Sequence, residues 1–123
     1  MDIEADLFKA LSHPIRLRLA VFLAMHGETC VCHLAEAMGE PDFKISRHLA
    51  VMRSAGIVTA RRQDTWMYYR PAEARSDIEG CLQNCLRNCF VTHPAVRDDL
   101  KRFERIAGKA SCPECDAADG GIV

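Results

Sequence analysis

Seven cysteines in 123 residues fall into three groups, each spaced for its own chemistry. Cys30 and Cys32 stand at the expected start of a helix, where the positive end of the helix dipole and unbonded backbone N–H groups favour thiolate over thiol. Two such thiolates are ready ligands for a soft ion. Residues two apart do not face each other on an intact helix, so one ion held by both sulfurs is expected to distort that first turn. Cys81, Cys85 and Cys89 recur at i, i+4 and i+8 and line one helical face. That geometry suits a chelate and equally suits packing, because a buried cysteine behaves as a small hydrophobe. Cys112 and Cys115 enclose a Cys-Pro-Glu-Cys run, half of a zinc knuckle, and a four-sulfur site there would need Cys30 and Cys32 or a second subunit.

What these thiols can do depends on the compartment. The chain opens without a basic start leading into an apolar run, and its longest apolar stretch, Ala20 to Met25, is far short of a membrane span of about 20 residues. A cytoplasmic protein with no membrane contact is expected. Clustered cysteines in a reducing compartment bind metal or carry redox chemistry, and an odd total argues against complete pairing. The Cys112–Cys115 pair lacks the strand-to-helix context of a thioredoxin-like site, and glycine-rich phosphate loops and paired catalytic carboxylates are missing. The expectation is no enzyme and no catalytic cofactor.

A second chemistry lies in the middle of the chain. Between Asp42 and Arg70, six basic residues face two acidic ones, a local +4 on a chain of net charge −1. A basic centre on an acidic body is the footprint of a module that docks one face on phosphate. Lys44, Ser46, Arg47 and His48 stand near the start of one predicted helix, with Arg47 the first choice for a bidentate contact to guanine. Arg61 and Arg62, beside a predicted turn, would follow the DNA backbone or enter the minor groove. Trp66, Tyr68 and Tyr69 are expected to pack that hairpin onto the domain.

The elements that must position these residues follow from periodicity. Ile3, Leu7, Phe8 and Leu11 mark a first helix; Pro14 opens a second, with Ile15, Leu19, Phe22 and Leu23 as its buried stripe and Gly27 at its end. Thr29 is expected to cap a short third helix reaching Met38, and Asp42 a fourth whose inner face is Ile45, Leu49 and Met52. Two short helices across a tight glycine turn form a helix-turn-helix. The period then changes, and two β-branched and aromatic runs flank Gln63-Asp64-Thr65 as a hairpin. Two further helices follow, one with Ile78, Leu82, Leu86 and Phe90 on one side, the other with Val96, Leu100, Phe103 and Ile106. The fold class is therefore mainly α, a winged helix-turn-helix with a two-stranded β-hairpin wing, with one domain over residues 1–109 and a flexible Cys-containing tail over 110–123.

The segments ALSHPIRLRLAVFL, Cys30-Val31-Cys32, KISRHLAVMRSAGIV and RRQDTWMYYR, in this order and spacing, resemble the ArsR/SmtB metalloregulatory repressors over roughly residues 5 to 90. The resemblance implies a homodimer, formed by the N- and C-terminal helices with Leu7, Phe8, Leu82 and Leu86 in its interface. That dimer binds double-stranded operator DNA at an inverted repeat. It also implies release by arsenic(III) as inducer, as arsenite or an organoarsenical, or by antimonite in its place, with Cys30 and Cys32 as first ligands. The position of the third cysteine of arsenic-responsive members is Ala35 here. A third sulfur would come from Cys81, Cys85, Cys89, Cys112 or Cys115, from the partner subunit, or from a small thiol. Sensing of another soft metal (cadmium, lead, zinc) and a thiol redox or sulfur switch are the alternatives. A zinc site on the fifth helix is disfavoured by the lack of an Asp-x-His arrangement in DIEGCLQNCLRNC.

Overall fold

The computed structural model describes residues 1–107, so Cys112, Cys115 and the expected tail lie outside the described residues. In chain order the elements are α1 (Asp2–Leu11), α2 (Pro14–His26), β1 (Thr29–Cys30), α3 (Val31–Met38), α4 (Asp42–Ser54), β2 (Val58–Gln63), β3 (Trp66–Pro71), α5 (Asp77–Asn88) and α6 (Pro94–Ala107). His13 caps α2, its Nδ1 accepting the Ile15 amide at 3.1 Å, and Pro14 fills the first helical position, where a missing N–H costs nothing. Gly39 ends α3 in the left-handed region at φ 70°, which lets α4 start three residues later.

Leu19, Leu34, Ile45, Leu49 and Met52 are wholly buried and join α2, α3 and α4 into one core. Burying each such side chain contributes roughly 1.5–3 kcal/mol before the entropy of ordering is set against it. The helix-turn-helix is thus fixed by the apolar stripes that its sequence spacing predicts.

Three features add to the expected picture or change it. The two-stranded hairpin is present as β2 and β3, and a third strand joins it in the order β1-β3-β2, because Thr29 and Cys30 pair antiparallel with Tyr69 and Tyr68. Thr29 therefore belongs to a strand, and the residue before the first turn of α3 is Cys30, with φ −77° and ψ 157°. Likewise Pro41, not Asp42, precedes α4. The third difference is the register of α5. Ile78 is 48% exposed while Glu79 is buried, its carboxylate 2.8 Å from the Arg75 guanidinium and its amide bonded to Ser76 Oγ. Pairing with Arg75 holds the Glu79 carboxyl below its usual range.

A buried ionic cluster fixes α6. Asp99, 1% exposed, takes a bidentate contact from Arg18 of α2 (2.6 and 3.0 Å) and a further one from Arg102 at 2.6 Å. The same two arginines donate to the carbonyls of Met38 (3.0 Å) and Ala37 (2.8 Å), which end α3. They take the place of the hydrogen bonds that the last turn of a helix lacks. No helix among the described residues is long and apolar enough to cross a membrane.

Candidate functional site

Cys30 and Cys32 meet where β1 passes into α3. Because Cys30 has extended backbone, its side chain is not displaced around a helix from that of Cys32, and the two sulfurs lie 3.1 Å apart. The expectation that both could bind one ion only by distorting the first turn is thereby overturned. Cys30 is 1% exposed and Cys32 half-buried. His33, buried on the next position, brings a ring nitrogen into the group, and the three donor atoms lie within 4.8 Å of one another. Sequence reasoning passed over His33, although its signal, a histidine directly after Cys-Val-Cys, was present. Ala35 is fully buried in the core and offers no donor.

The corner is joined to the wing. Cys30 pairs with Tyr68 across β1 and β3, both are buried, and Cys32 and Trp66 pack beside them. Over the Tyr68 ring, at 4.5 Å, lies the guanidinium of Arg61, which also reaches Glu28 at 2.7 Å and Gln63 at 2.8 Å. Side chains alternate along a strand, so Arg62 leaves the opposite face of the ribbon from Arg61, and it is exposed. Of the two arginines expected on DNA, Arg62 is exposed, while Arg61, its side chain 38% exposed, is held against Glu28 and the Tyr68 ring. Tyr68 and Tyr69 are buried and Trp66 half-buried, as expected for packing residues.

On α4, Ser46 and Arg47 are exposed while Ile45 and Leu49 on the other side are wholly buried. Lys44 is half-buried and paired with Glu40 at 3.1 Å. His48 turns toward α2, with its ring 4.5 Å from that of His13 and its Nδ1 3.3 Å from the Arg16 guanidinium. Burial, with the nearby positive groups of His13, Arg16 and Lys44, holds His48 below its ordinary value of 6.5. Phe43, 64% exposed one turn before Arg47 and 5.7 Å from its guanidinium, is a further solvent-facing residue at the head of this helix.

Cys81, Cys85 and Cys89 do not join the corner. They run along α5, with Cys81 and Cys89 exposed and Cys85 half-buried. Leu7 and Leu86, expected in a subunit interface, are instead part of the core, whereas Phe8 is 54% exposed and lines an open hollow with Ile78, Cys81 and Leu82.

Against known proteins, the family model described as bacterial regulatory protein, arsR family, matches residues 13–60, from the cap of α2 into the wing. The arsenic resistance transcriptional regulator ArsR2 of Pseudomonas putida is 49% identical over 105 residues, covering 85% of this chain and 89% of its own. The arsenical resistance operon repressor of Escherichia coli is 44% identical over 65 residues, 53% of this chain and 56% of that one. Among solved structures, the homodimeric winged helix-turn-helix DNA-binding domain of a Mycobacterium bovis protein superposes with a TM-score of 0.60 at 34% identity. That match covers 70% of this chain and 76% of the other.

Proposed function

The chain belongs to the ArsR family and is a DNA-binding transcriptional repressor, not an enzyme; from that premise we propose that trivalent arsenic, held by Cys30 and Cys32, releases it from its operator. The observation that carries this reading is the 3.1 Å separation of the two sulfurs at a buried corner. Metal–thiolate bonds are about 2.3 Å long, so one soft ion spans that separation without unwinding α3. The arsenic resistance regulators similar to this chain support arsenic over other soft ions.

Cys30 belongs at once to β1 and to the start of α3, so drawing its sulfur toward an ion acts on both the wing and the helix that packs against α4. A thousandfold loss of DNA affinity needs about 4 kcal/mol of coupling between the two sites. On DNA, Ser46 and Arg47 read the major groove while Lys44, His48 and Arg62 bear on phosphate; Arg61 acts through the wing that it holds to Glu28. One recognition helix covers few bases, so the repressor is a homodimer on an inverted repeat. Its subunits pair through Phe8, Ile78 and Leu82 on α1 and α5, with Ile3 extending the exposed surface. The setting is the cytoplasm, residues 1–109 form the working domain, and residues 110–123 a tail that carries Cys112 and Cys115.

The position of His33 favours one second reading. A two-sulfur, one-nitrogen donor set suits a borderline-soft divalent ion such as cadmium or zinc. Fluorescence anisotropy on the operator upstream of its own gene, titrated with arsenite and then with cadmium, separates the two. Release of wild type by arsenite, retained by His33→Gln and lost in Cys30→Ser/Cys32→Ser, is the expected result. Release by cadmium alone, and its loss in His33→Gln, would establish the second reading instead.

A further inference from the structure

The three cysteines of α5 are left unused by that reading. Buried Glu79 and Leu86 face the core, and Cys81 and Cys89 are exposed, so packing inside the subunit does not account for them. Cys81 lies in the Phe8–Ile78–Leu82 hollow, while Cys85 and Cys89 stand one and two turns further along the helix.

We propose that Cys85 and Cys89 form a second thiol site, separate from Cys30 and Cys32, that takes a monosubstituted trivalent arsenical through two arsenic–sulfur bonds. Residues four apart on a helix have their Cβ atoms about 5–6 Å from each other, within the reach of two sulfurs on one atom. Three thiols cannot share the atom, because Cys81 and Cys89 are eight residues apart, about 12 Å along the axis. Two sulfurs match an arsenical with one carbon substituent and two exchangeable hydroxyls, whereas arsenite itself would keep one hydroxyl unreplaced.

The step balances without an oxidant. Each thiol proton leaves with one arsenic hydroxyl as water, two As–O bonds are exchanged for two As–S bonds, and arsenic stays trivalent.

The test uses the full chain with Cys112→Ser and Cys115→Ser, reduced and treated with excess phenylarsine oxide, and counts adducts by intact mass. Two phenylarsenic groups are expected, falling to one with Cys85→Ser and remaining two with Cys81→Ser. A single group in the parent chain, or two after Cys85→Ser, would overturn the proposal. A second measurement needs no substitution on α5: cleavage after glutamate leaves peptide 80–104, which must carry one phenylarsenic group, and a bare peptide sinks the site. Neither readout involves DNA, so failure of arsenite-driven release is scored separately.

Discussion

The two ends of α3 are held in opposite ways. Its C-terminal end is clamped: the carbonyls of Ala37 and Met38 are bound by Arg102 and Arg18, and both arginines are anchored on buried Asp99. Its N-terminal end is joined to the wing through the two-residue strand β1, where Thr29 and Cys30 pair with Tyr69 and Tyr68. The proposed soft-ion donors therefore sit at the end tied to β3 and not at the end clamped by arginines. The difference teaches what separates the two thiol groups: Cys30 and Cys32 begin a helix packed on α4, whereas Cys85 and Cys89 lie on a helix packed chiefly on α2.

The comparison breaks most directly at the clamp. Asp99→Ala leaves two arginines partly buried without their carboxylate, and a loss of about 3–5 kcal/mol in urea unfolding is expected; a change under about 1 kcal/mol would mean that the C-terminal end is not fixed this way. At the other end, Cys30→Ser/Cys32→Ser should abolish an arsenite response of about 4 kcal/mol while Cys85→Ser retains it, as read by anisotropy. Arg47→Ala should weaken operator binding by about 1–3 kcal/mol yet keep the fold-release by arsenite, because the proposal places Arg47 on DNA and outside the thiol corner. Glu28→Gln removes the Arg61 ion pair, a partly exposed contact worth under about 1 kcal/mol. The ratio of affinities with and without arsenite should shrink by less than tenfold, and no change at all would detach the wing from the corner.

The smallest effect concerns pH. His48 takes its proton less readily in the folded chain than in the unfolded one, so folding is unpenalised above its ordinary 6.5 and loses stability as pH falls through that value. The loss levels off once the folded form protonates as well. The urea midpoint should therefore drop less between pH 7.5 and 5.5 in His48→Gln than in wild type, and parallel curves would rule this contribution out.

Legibility followed the kind of force involved. The stripes Leu19, Phe22 and Leu23 and Ile45, Leu49 and Met52 were readable because burial repeats at the helical period, and all six are buried. In α5 periodicity pointed Ile78 inward, yet Glu79 is the buried residue, since Arg75 neutralises its charge. The Ser76-x-x-Glu79 pattern, a helix-start signature in its own right, was the overlooked signal. The Asp99 cluster joins residues 81 positions apart, and no local pattern announces such a pair.

From the sequence alone came the order of elements, the helix-turn-helix, the hairpin and the family resemblance, because local periodicity and turn chemistry act between neighbours along the chain. Tertiary structure decided that Cys30 lies in a strand with its sulfur against that of Cys32, that His33 joins them, and that Arg61 is bound to Glu28. It also clamped one end of α3. Each of these rests on contacts between segments distant in the chain, whose pairing is set only when the core closes.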